Sequence, residues 1–152
     1  MSHPLAFANQ NLYYANILLA AWRRSLSEQE SSAAQINQAF GPAVQARLLD
    51  GYGWLLLTAC RIRHAPDRPP HSVDDLPPLP TGLVRPAEVQ ACAQLEQDGW
   101  LAELKSPLPE SPVVRRTASL AQEVEVSIEQ FLDWSERLRR LSQQVADAVD
   151  ES

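Results

Sequence analysis

The sequence predicts an all-α, single-domain protein that spans residues 1–152 and folds as an up-and-down four-helix bundle. Three observations predict this fold. Apolar residues recur at spacings of three and four along four separate stretches. Glycine is scarce, at 5 residues. Two proline-rich connections, at residues 65–85 and 106–112, separate the helical patterns.

The first predicted helix runs from about residue 5 to residue 26. Its apolar side chains form a heptad-like seam made of Leu5, Ala8, Leu12, Ala15, Leu19, Trp22 and Leu26. Ser27 and Glu30 then fit a capping box for a new helical start. Gly41 and Pro42 predict a break, with Pro42 as the first residue of the second helix.

The second predicted helix, residues 42–63, is the most apolar stretch of the chain, so we expect neighbours to cover it on several sides. Gly51 and Gly53 lie in its interior, where each costs about 1 kcal/mol relative to alanine. Close packing or a local bend explains such glycines. Approach of a ligand to the backbone is the alternative explanation.

The third predicted helix, residues 86–104, has a narrow apolar face that Glu96 and Glu103 interrupt. The fourth, residues 118–149, has a second heptad-like seam made of Val124, Ser127, Phe131, Trp134, Leu138, Leu141, Val145 and Ala148. The connection at residues 65–85 carries too many apolar residues for a free linker. We expect much of it to pack against the helices in extended form.

Charge and targeting signals restrict the partners and the compartment. A net charge of −6 and a pI near 5.0 disfavour binding to nucleic acids and to anionic membranes. The N-terminus lacks the pattern of a signal peptide, and the apolar run at residues 54–60 is too short to span a bilayer. We therefore expect a cytoplasmic protein with neither nucleic-acid nor membrane partners.

Two cysteines, Cys60 and Cys92, both fall within apolar helical patterns. Reduced, buried thiols are typical of such positions in a cytosolic protein. A disulfide between the two is the alternative, although no further cysteines suggest a disulfide framework.

No motif of a catalytic or cofactor site is present: there is no G-x-S-x-G, H-E-x-x-H, P-loop or G-x-G-x-x-G. We therefore predict a protein with no enzymatic activity, no cofactor and no metal site. The nearest approach to metal-ligand chemistry is a pair of H-x-x-D units that begin at His64 and His71. Prolines separate the two units, and a solvated loop explains them better.

Asp50 is a charged residue within the most apolar stretch of the chain. A buried carboxylate without a partner is too costly to be retained in a folded protein. If Asp50 points inward, it therefore needs a partner such as Arg23 or Arg24.

Arginines cluster around the fourth predicted helix, with acidic residues interleaved among them. They are Arg115, Arg116, Arg137, Arg139 and Arg140. A solvated, salt-bridged face is typical of this pattern. A site for an anion or an acidic partner is the alternative.

The four tryptophans each fall on an apolar helical stripe, which indicates core positions; they are Trp22, Trp54, Trp100 and Trp134. A shared aromatic pocket is the alternative interpretation. If the protein binds a small ligand, the candidate pocket lies near the glycines of the second helix and comprises Tyr13, Gly51, Tyr52, Gly53 and Trp54.

Residues 9–15 read NQNLYYA and resemble the N-Q-x-L-Y-aromatic-A opening of a family of small gammaproteobacterial proteins classed as a domain of unknown function. Gly51-Tyr52 in the second helix and Trp100-Leu101 in the third follow in the same order. The resemblance covers most of the chain. It implies a bacterial, cytosolic, helical protein and lends it no activity.

These features together predict a non-enzymatic protein-interaction or regulatory module, and the alternative is a small-ligand-binding helical bundle. The two seams and the second helix offer more apolar surface than the third helix covers. We therefore expect a homodimer joined through a two-fold interface, or another bacterial protein as partner. In the competing account, the connection at residues 65–85 covers this surface itself.

Overall fold

The structure of the chain is a computed structural model that describes residues 3–108 and 126–150. These residues form five α-helices, and no β-strand occurs within them. The helices are α1 (Pro4–Glu28), α2 (Ala33–Ala59), α3 (Ala87–Asp98), α4 (Trp100–Lys105) and α5 (Ile128–Asp150), and a 3-10 turn spans Val73–Asp75. The predicted all-α class is therefore confirmed. Within the same residues, no helix combines the length and the apolar character needed to cross a membrane.

Helix α1 follows the predicted seam closely. Pro4 occupies its first turn, where a missing N–H costs no hydrogen bond. The helix ends at Glu28 because Gln29 adopts a left-handed conformation, with φ of 53°, and donates its N–H to the carbonyl of Ser25. The central residues of the seam are all buried: Ala8, Leu12, Ala15, Leu19 and Trp22.

Helix α2 begins earlier than the sequence predicts. Its N-cap is Ser32, whose hydroxyl accepts a hydrogen bond from the N–H of Gln35 at 3.2 Å. The capping box predicted for Ser27 and Glu30 does not form, because α1 continues through Ser27.

The predicted break at Gly41 and Pro42 is wrong, since α2 continues through both residues. Proline inside a helix costs about 3 kcal/mol, and burial of Ile36 and Val44 on either side offsets this cost. Gly41 serves packing, because a Cβ there would lie 2.6 Å from Cγ1 of Val126. These contacts join residues far apart in the chain, so a local sequence pattern does not reveal them.

Helix α2 ends at Ala59, before the predicted end. Arg61 adopts a left-handed conformation, with φ of 58°, and donates its N–H to the carbonyl of Thr58 at 3.0 Å. Ile62 donates to the carbonyl of Leu57, also at 3.0 Å. This pair of bonds is a Schellman motif, which usually has glycine at the left-handed position. Arginine in that place gives no sequence signal for the helix end.

The proline-rich stretch between α2 and α3 packs against the helices over part of its length. Val73 and Leu76 are buried at the 3-10 turn, whereas Leu83 and Val84 are 64% and 80% exposed. The chain turns between these two pairs at Gly82, whose φ of 90° suits glycine. The predicted packing therefore describes the first pair and fails for the second.

The third predicted helix is two helices, because the chain is extended at Gly99, between α3 and α4. A Cβ at Gly99 would lie 3.0 Å from the backbone Cα of Leu95 and 3.2 Å from its carbonyl oxygen, so glycine relieves crowding at this break. At the end of α4, the amide of Gln45 donates to the carbonyls of Leu104 and Ser106, each at 2.9 Å. These bonds satisfy carbonyl groups near the C-terminus of α4.

Helix α5 covers most of the described part of the fourth predicted helix. Val126 and Ser127 precede it instead of belonging to it. Ser127 lies at the helix start, a position that serine favours, and its hydroxyl donates to Glu129 Oε2 at 2.8 Å. The predicted helical residues 118–125 and the predicted connection residues 109–112 lie outside the described residues.

Helices α1 and α2 are antiparallel, as contacts at both ends show. Near the C-terminal end of α1, Trp22 Nε1 donates to Asn37 Oδ1 at 2.9 Å. Near its N-terminal end, the ring of Phe7 lies 5.0 Å from that of Trp54, between centroids. The two helices therefore contact each other over most of their length.

Two matching hydrogen bonds join α1 to α5. Ser142 Oγ donates to Asn9 Oδ1, and Ser135 Oγ donates to Asn16 Oδ1, each at 3.0 Å. The members of each pair are two turns apart along their helix and run in opposite order. Helices α1 and α5 are therefore antiparallel in a fixed register.

Candidate functional site

Gly51 and Gly53, which the sequence places in a candidate ligand pocket, face protein atoms on opposite sides of α2. A Cβ at Gly51 would lie 3.1 Å from Cδ2 of Leu12, in α1. A Cβ at Gly53 would lie 1.8 Å from the carbonyl oxygen of Pro70, in the proline-rich stretch. Each glycine thus allows a neighbour to approach α2 closely.

The other three residues of the candidate pocket point to different places. Trp54 is buried against Phe7 of α1. Tyr52 is fully buried, and its hydroxyl donates a hydrogen bond to Glu96 of α3. Tyr13 is 63% exposed on the surface of α1. The structure therefore does not bring the five predicted residues together around one cavity.

A buried polar cluster forms where α2, α3, α4 and the proline-rich stretch meet. Glu96 Oε2 accepts hydrogen bonds from the hydroxyl of Tyr52 at 2.5 Å and from the N–H of Val73 at 2.9 Å. Glu96 Oε1 accepts from Lys105 Nζ at 3.0 Å. Only 10% of the Glu96 side chain is exposed, so three protein donors replace water around its carboxylate. These four residues form the Glu96 cluster.

The sequence does not predict the Glu96 cluster. The sequence shows only two separate signs of this cluster: a carboxylate, Glu96, within the apolar stripe of the third predicted helix and a tyrosine, Tyr52, within the apolar stripe of the second. Each is visible by itself, but only the packing of α3 against α2 brings the two side chains together. The apparent interruption of the third predicted helix at Glu96 is therefore a contact point.

Cys92 lies beside the Glu96 cluster and is buried. Burial raises the pKa of its thiol to about 11, although a hydrogen bond with Tyr52 opposes the increase. Burial also raises the pKa of Tyr52. Both groups keep their protons at neutral pH, so neither is an activated nucleophile. Cys60 is half-buried rather than buried, and both cysteines are free thiols.

Asp50 pairs with His71 of the proline-rich stretch rather than with Arg23 or Arg24. His71 Nε2 lies 2.7 Å from Asp50 Oδ1, and both side chains are partly exposed. The close approach of the stretch at Gly53 brings the histidine there. Because the Asp50 side chain is partly exposed, the condition under which an arginine partner was expected is not met. An exposed pair of this kind contributes at most about 1 kcal/mol.

The two H-x-x-D units do not combine into a group of metal ligands. His64 is exposed, and His71 pairs with Asp50. Nowhere in the part of the chain that the structure describes do three side chains of His, Cys, Asp or Glu gather closely enough to hold a metal ion.

The described arginines of the predicted arginine cluster form ion pairs along α5. Arg137 bonds to Asp133 at 2.9 Å. Arg139 and Arg140 both reach Glu136, at 2.6 and 3.4 Å. The hydrogen bond from Arg139 lowers the pKa of Glu136 to about 2. The remaining members lie outside the described residues: Arg115 and Arg116.

The four tryptophans do not share one pocket. Phe131 contacts the rings of Trp22 and Trp134, with centroids 5.5 and 4.9 Å away. Trp54 packs separately against α1, and Trp100 is half-buried on α4. Three of the four are core residues, as predicted.

A cleft of about 200 Å³ opens between the C-terminal ends of α2 and α5 and the start of α3. Ala59 and Val145 contribute apolar walls, whereas Arg61 and Glu88 contribute opposite charges. Arg61 also donates to the carbonyl of Ala148 at 3.3 Å. The sequence does not predict this cleft, because three separate elements form it.

The side of α1 that faces away from the other helices has an unusual composition. Its exposed residues recur at spacings of three and four, and they form the outer face of α1: Ala6, Gln10, Tyr13, Ile17 and Ala20. Tyr13 and Ile17 are 63% and 49% exposed and lie one turn apart. No charged residue occurs in α1 between Pro4 and Trp22. Low charge together with an exposed tyrosine is typical of the centre of protein interfaces.

The described residues define an all-helical protein with a buried polar cluster, a small cleft and an uncharged outer face. No protein-family model, no curated protein and no solved structure matches the chain. The resemblance to a gammaproteobacterial family therefore stays a prediction.

Proposed function

We propose that the protein is a non-enzymatic interaction module of the bacterial cytoplasm and that it binds partners through the outer face of α1. Its architecture in this proposal is an up-and-down four-helix bundle, in which α3 and α4 together form the third helix. The partner is a second copy of the chain or another bacterial protein.

The outer face of α1 carries this proposal. Charged residues make up 21% of the chain, yet α1 has none from Pro4 to Trp22. Tyr13 and Ile17 remain exposed at the centre of this uncharged surface. Tyrosine is enriched among residues that dominate binding energies, and charged residues are depleted from interface centres.

The positions of the titratable groups support the absence of catalysis. Burial raises the pKa of Cys92 and of Tyr52, which is the opposite of the shift that activates a thiol or a phenol near neutral pH. The carboxylate of Glu96 already accepts hydrogen bonds from three protein donors. These buried groups hold the helices together, which is a structural task.

A pull-down from bacterial lysate tests the proposed surface. The bait is the full chain as wild type, as Ile17→Glu or as Ala39→Glu. Ala39 is exposed on α2, so its substitution makes the same change of charge away from the outer face. We expect Ile17→Glu to lose the partners that wild type and Ala39→Glu retain. Equal capture by all three proteins would contradict the proposal.

The cleft between α2, α3 and α5 favours the alternative function, binding of a small ligand. A thermal-shift screen against metabolites and metals tests it directly. The matched variant is Ala148→Phe, which fills the cleft from α5. If a compound raises the melting temperature of wild type but not of Ala148→Phe, ligand binding replaces partner binding as the proposed function.

A further inference from the structure

We propose that the outer face of α1 binds the same face of a second copy of this chain, with the two α1 helices antiparallel across a two-fold axis. This rests on the proposed function and names its partner. The dimer that the sequence predicts thereby acquires a surface, a direction and a register.

Electrostatics favours a second copy as the occupant. Two molecules of net charge −6 repel each other, and the repulsion is least where neither brings carboxylates into the contact. The uncharged segment from Pro4 to Trp22 is about 28 Å long at 1.5 Å per residue, enough to form such a contact. A basic partner would instead be matched by acidic residues, which α1 lacks over this segment.

The arginines that follow this segment favour the antiparallel arrangement. Arg23 and Arg24 lie near the C-terminal end of α1. Parallel helices would bring these residues of both copies together, whereas antiparallel helices place them at opposite ends. Antiparallel helix dipoles also attract each other at their ends.

The spacing of the outer face defines the register. With the two-fold axis midway between Tyr13 and Ile17, each Tyr13 packs on Ile17 of the second copy. The same axis places Gln10 opposite Ala20 of the second copy. Tyr13 and Gln10 then each meet an apolar residue. Ala6 comes opposite Arg24 of the second copy, so the only charged residues near the contact lie at its two ends and carry no carboxylate.

The size of the face makes this a weak dimer. The uncharged segment of α1 is about 28 Å long, and a helix face about 10 Å wide then offers roughly 300 Å² per copy. A standard interface buries about 800 Å² per partner. We therefore expect a weak, concentration-dependent dimer instead of a permanent one.

Sedimentation equilibrium of the full chain, over a wide concentration range at low and high salt, tests the dimer. The mass should rise from 16.9 kDa toward twice that value, and salt should strengthen the dimer severalfold because it screens the repulsion. Ile17→Glu should abolish the rise and Ala39→Glu should retain it, with circular dichroism showing that both variants fold. A mass that stays at 16.9 kDa in every condition would overturn the second copy as partner.

Paired charge variants test the register. Gln10→Glu and Ala20→Lys should each weaken the dimer alone, and their mixture should restore it, because the antiparallel register places these positions together. Restoration by a mixture of Gln10→Glu and Gln10→Lys would instead overturn the antiparallel arrangement. If wild type is a monomer but the lysate pull-down still depends on Ile17, the interaction function stands with a different partner. If neither assay depends on Ile17, both proposals fail.

Discussion

The two opposite sides of α2 meet their neighbours in different ways. On the α1 side, Gly51 faces the end of a flexible side chain, that of Leu12. On the other side, Gly53 faces the backbone carbonyl of Pro70, and the Glu96 cluster lies nearby. A leucine side chain can shift by a few tenths of an ångström at little cost, but a backbone held by packing and hydrogen bonds cannot. We infer that the contact between α1 and α2 tolerates added side-chain atoms, whereas the contact between α2 and the proline-rich stretch does not.

The largest effect is expected from Gly53→Ala. A Cβ 1.8 Å from the Pro70 oxygen displaces the backbone of the proline-rich stretch, so the free energy of unfolding should fall by about 3 kcal/mol or more. The control is Gly51→Ala, where Leu12 can move and alanine favours the helix, so the change should stay within about 1 kcal/mol. Urea denaturation measures both. Equal losses for the two variants would refute the contrast between the sides.

A second large effect is expected from Glu96→Gln. The amide leaves Lys105 without its counter-charge and replaces one acceptor oxygen by a donor group. Breaking a buried ion pair from one side costs about 3–5 kcal/mol, and the partial exposure of Lys105 reduces this to about 2–3 kcal/mol. Glu103→Gln, on the exposed surface of α4, should change stability by less than about 0.5 kcal/mol. Thermal and urea unfolding of both variants measures the two losses of stability. Similar small losses for Glu96→Gln and Glu103→Gln would show that the Glu96 cluster contributes little to stability.

The same side of α2 should respond to alkaline pH. The thiol pKa of Cys92 is about 11 in the folded protein, above its ordinary value of 9.0. Between these values the unfolded chain loses a proton that the folded chain keeps. Cys92 should therefore leave the free energy of unfolding unaffected below pH 9 and lower it by at most about 1.4 kcal/mol per pH unit between pH 9 and pH 11.

Urea unfolding at pH 8 to 11 measures this slope in wild type, Cys92→Ala and Cys60→Ala. Cys92→Ala should flatten the slope, whatever its effect on stability at pH 8. A residual slope should remain because the pKa of Tyr52 is also raised. The half-buried Cys60 should contribute less. An unchanged slope in Cys92→Ala would show that its thiol does not govern alkaline stability.

The extent to which the sequence predicts these features follows from the range of the interactions. The seam of α1 is a local pattern, and both its helix and its buried residues were predictable. The course of α2 through Pro42 depends on packing with distant segments, such as Val126 against Gly41, and it was missed. The break at Gly99 was also missed, although the crowding that glycine relieves there comes from Leu95, four residues earlier. Among the candidate sites, Tyr13 was predicted for a pocket but lies on the outer face of α1. Glu96 was noticed only as an exception to a pattern, because its donors come from three other segments.

The smallest effect should come from the α1 side, with Arg47→Met. Arg47 donates to Asn11 Oδ1 at 3.2 Å, and its guanidinium carbon lies 5.0 Å from the ring centroid of Tyr14. Arg47 is exposed, so the loss should be about 0.5 kcal/mol. Methionine keeps most of the aliphatic stem and therefore most of the packing.

The matched substitution on the other side of α2 is Lys105→Met, which removes a cation from a carboxylate that is only 10% exposed. It should cost about 2 kcal/mol, several times the cost of Arg47→Met, because Glu96 loses its only cationic partner within the cluster. Chemical denaturation of the two variants and of their double mutant compares the two sides directly. The two costs should add, since the sites share no partner. If the two single substitutions cost the same, charge does not distinguish the sides of α2, and only the rigid approach of the proline-rich stretch at Gly53 does.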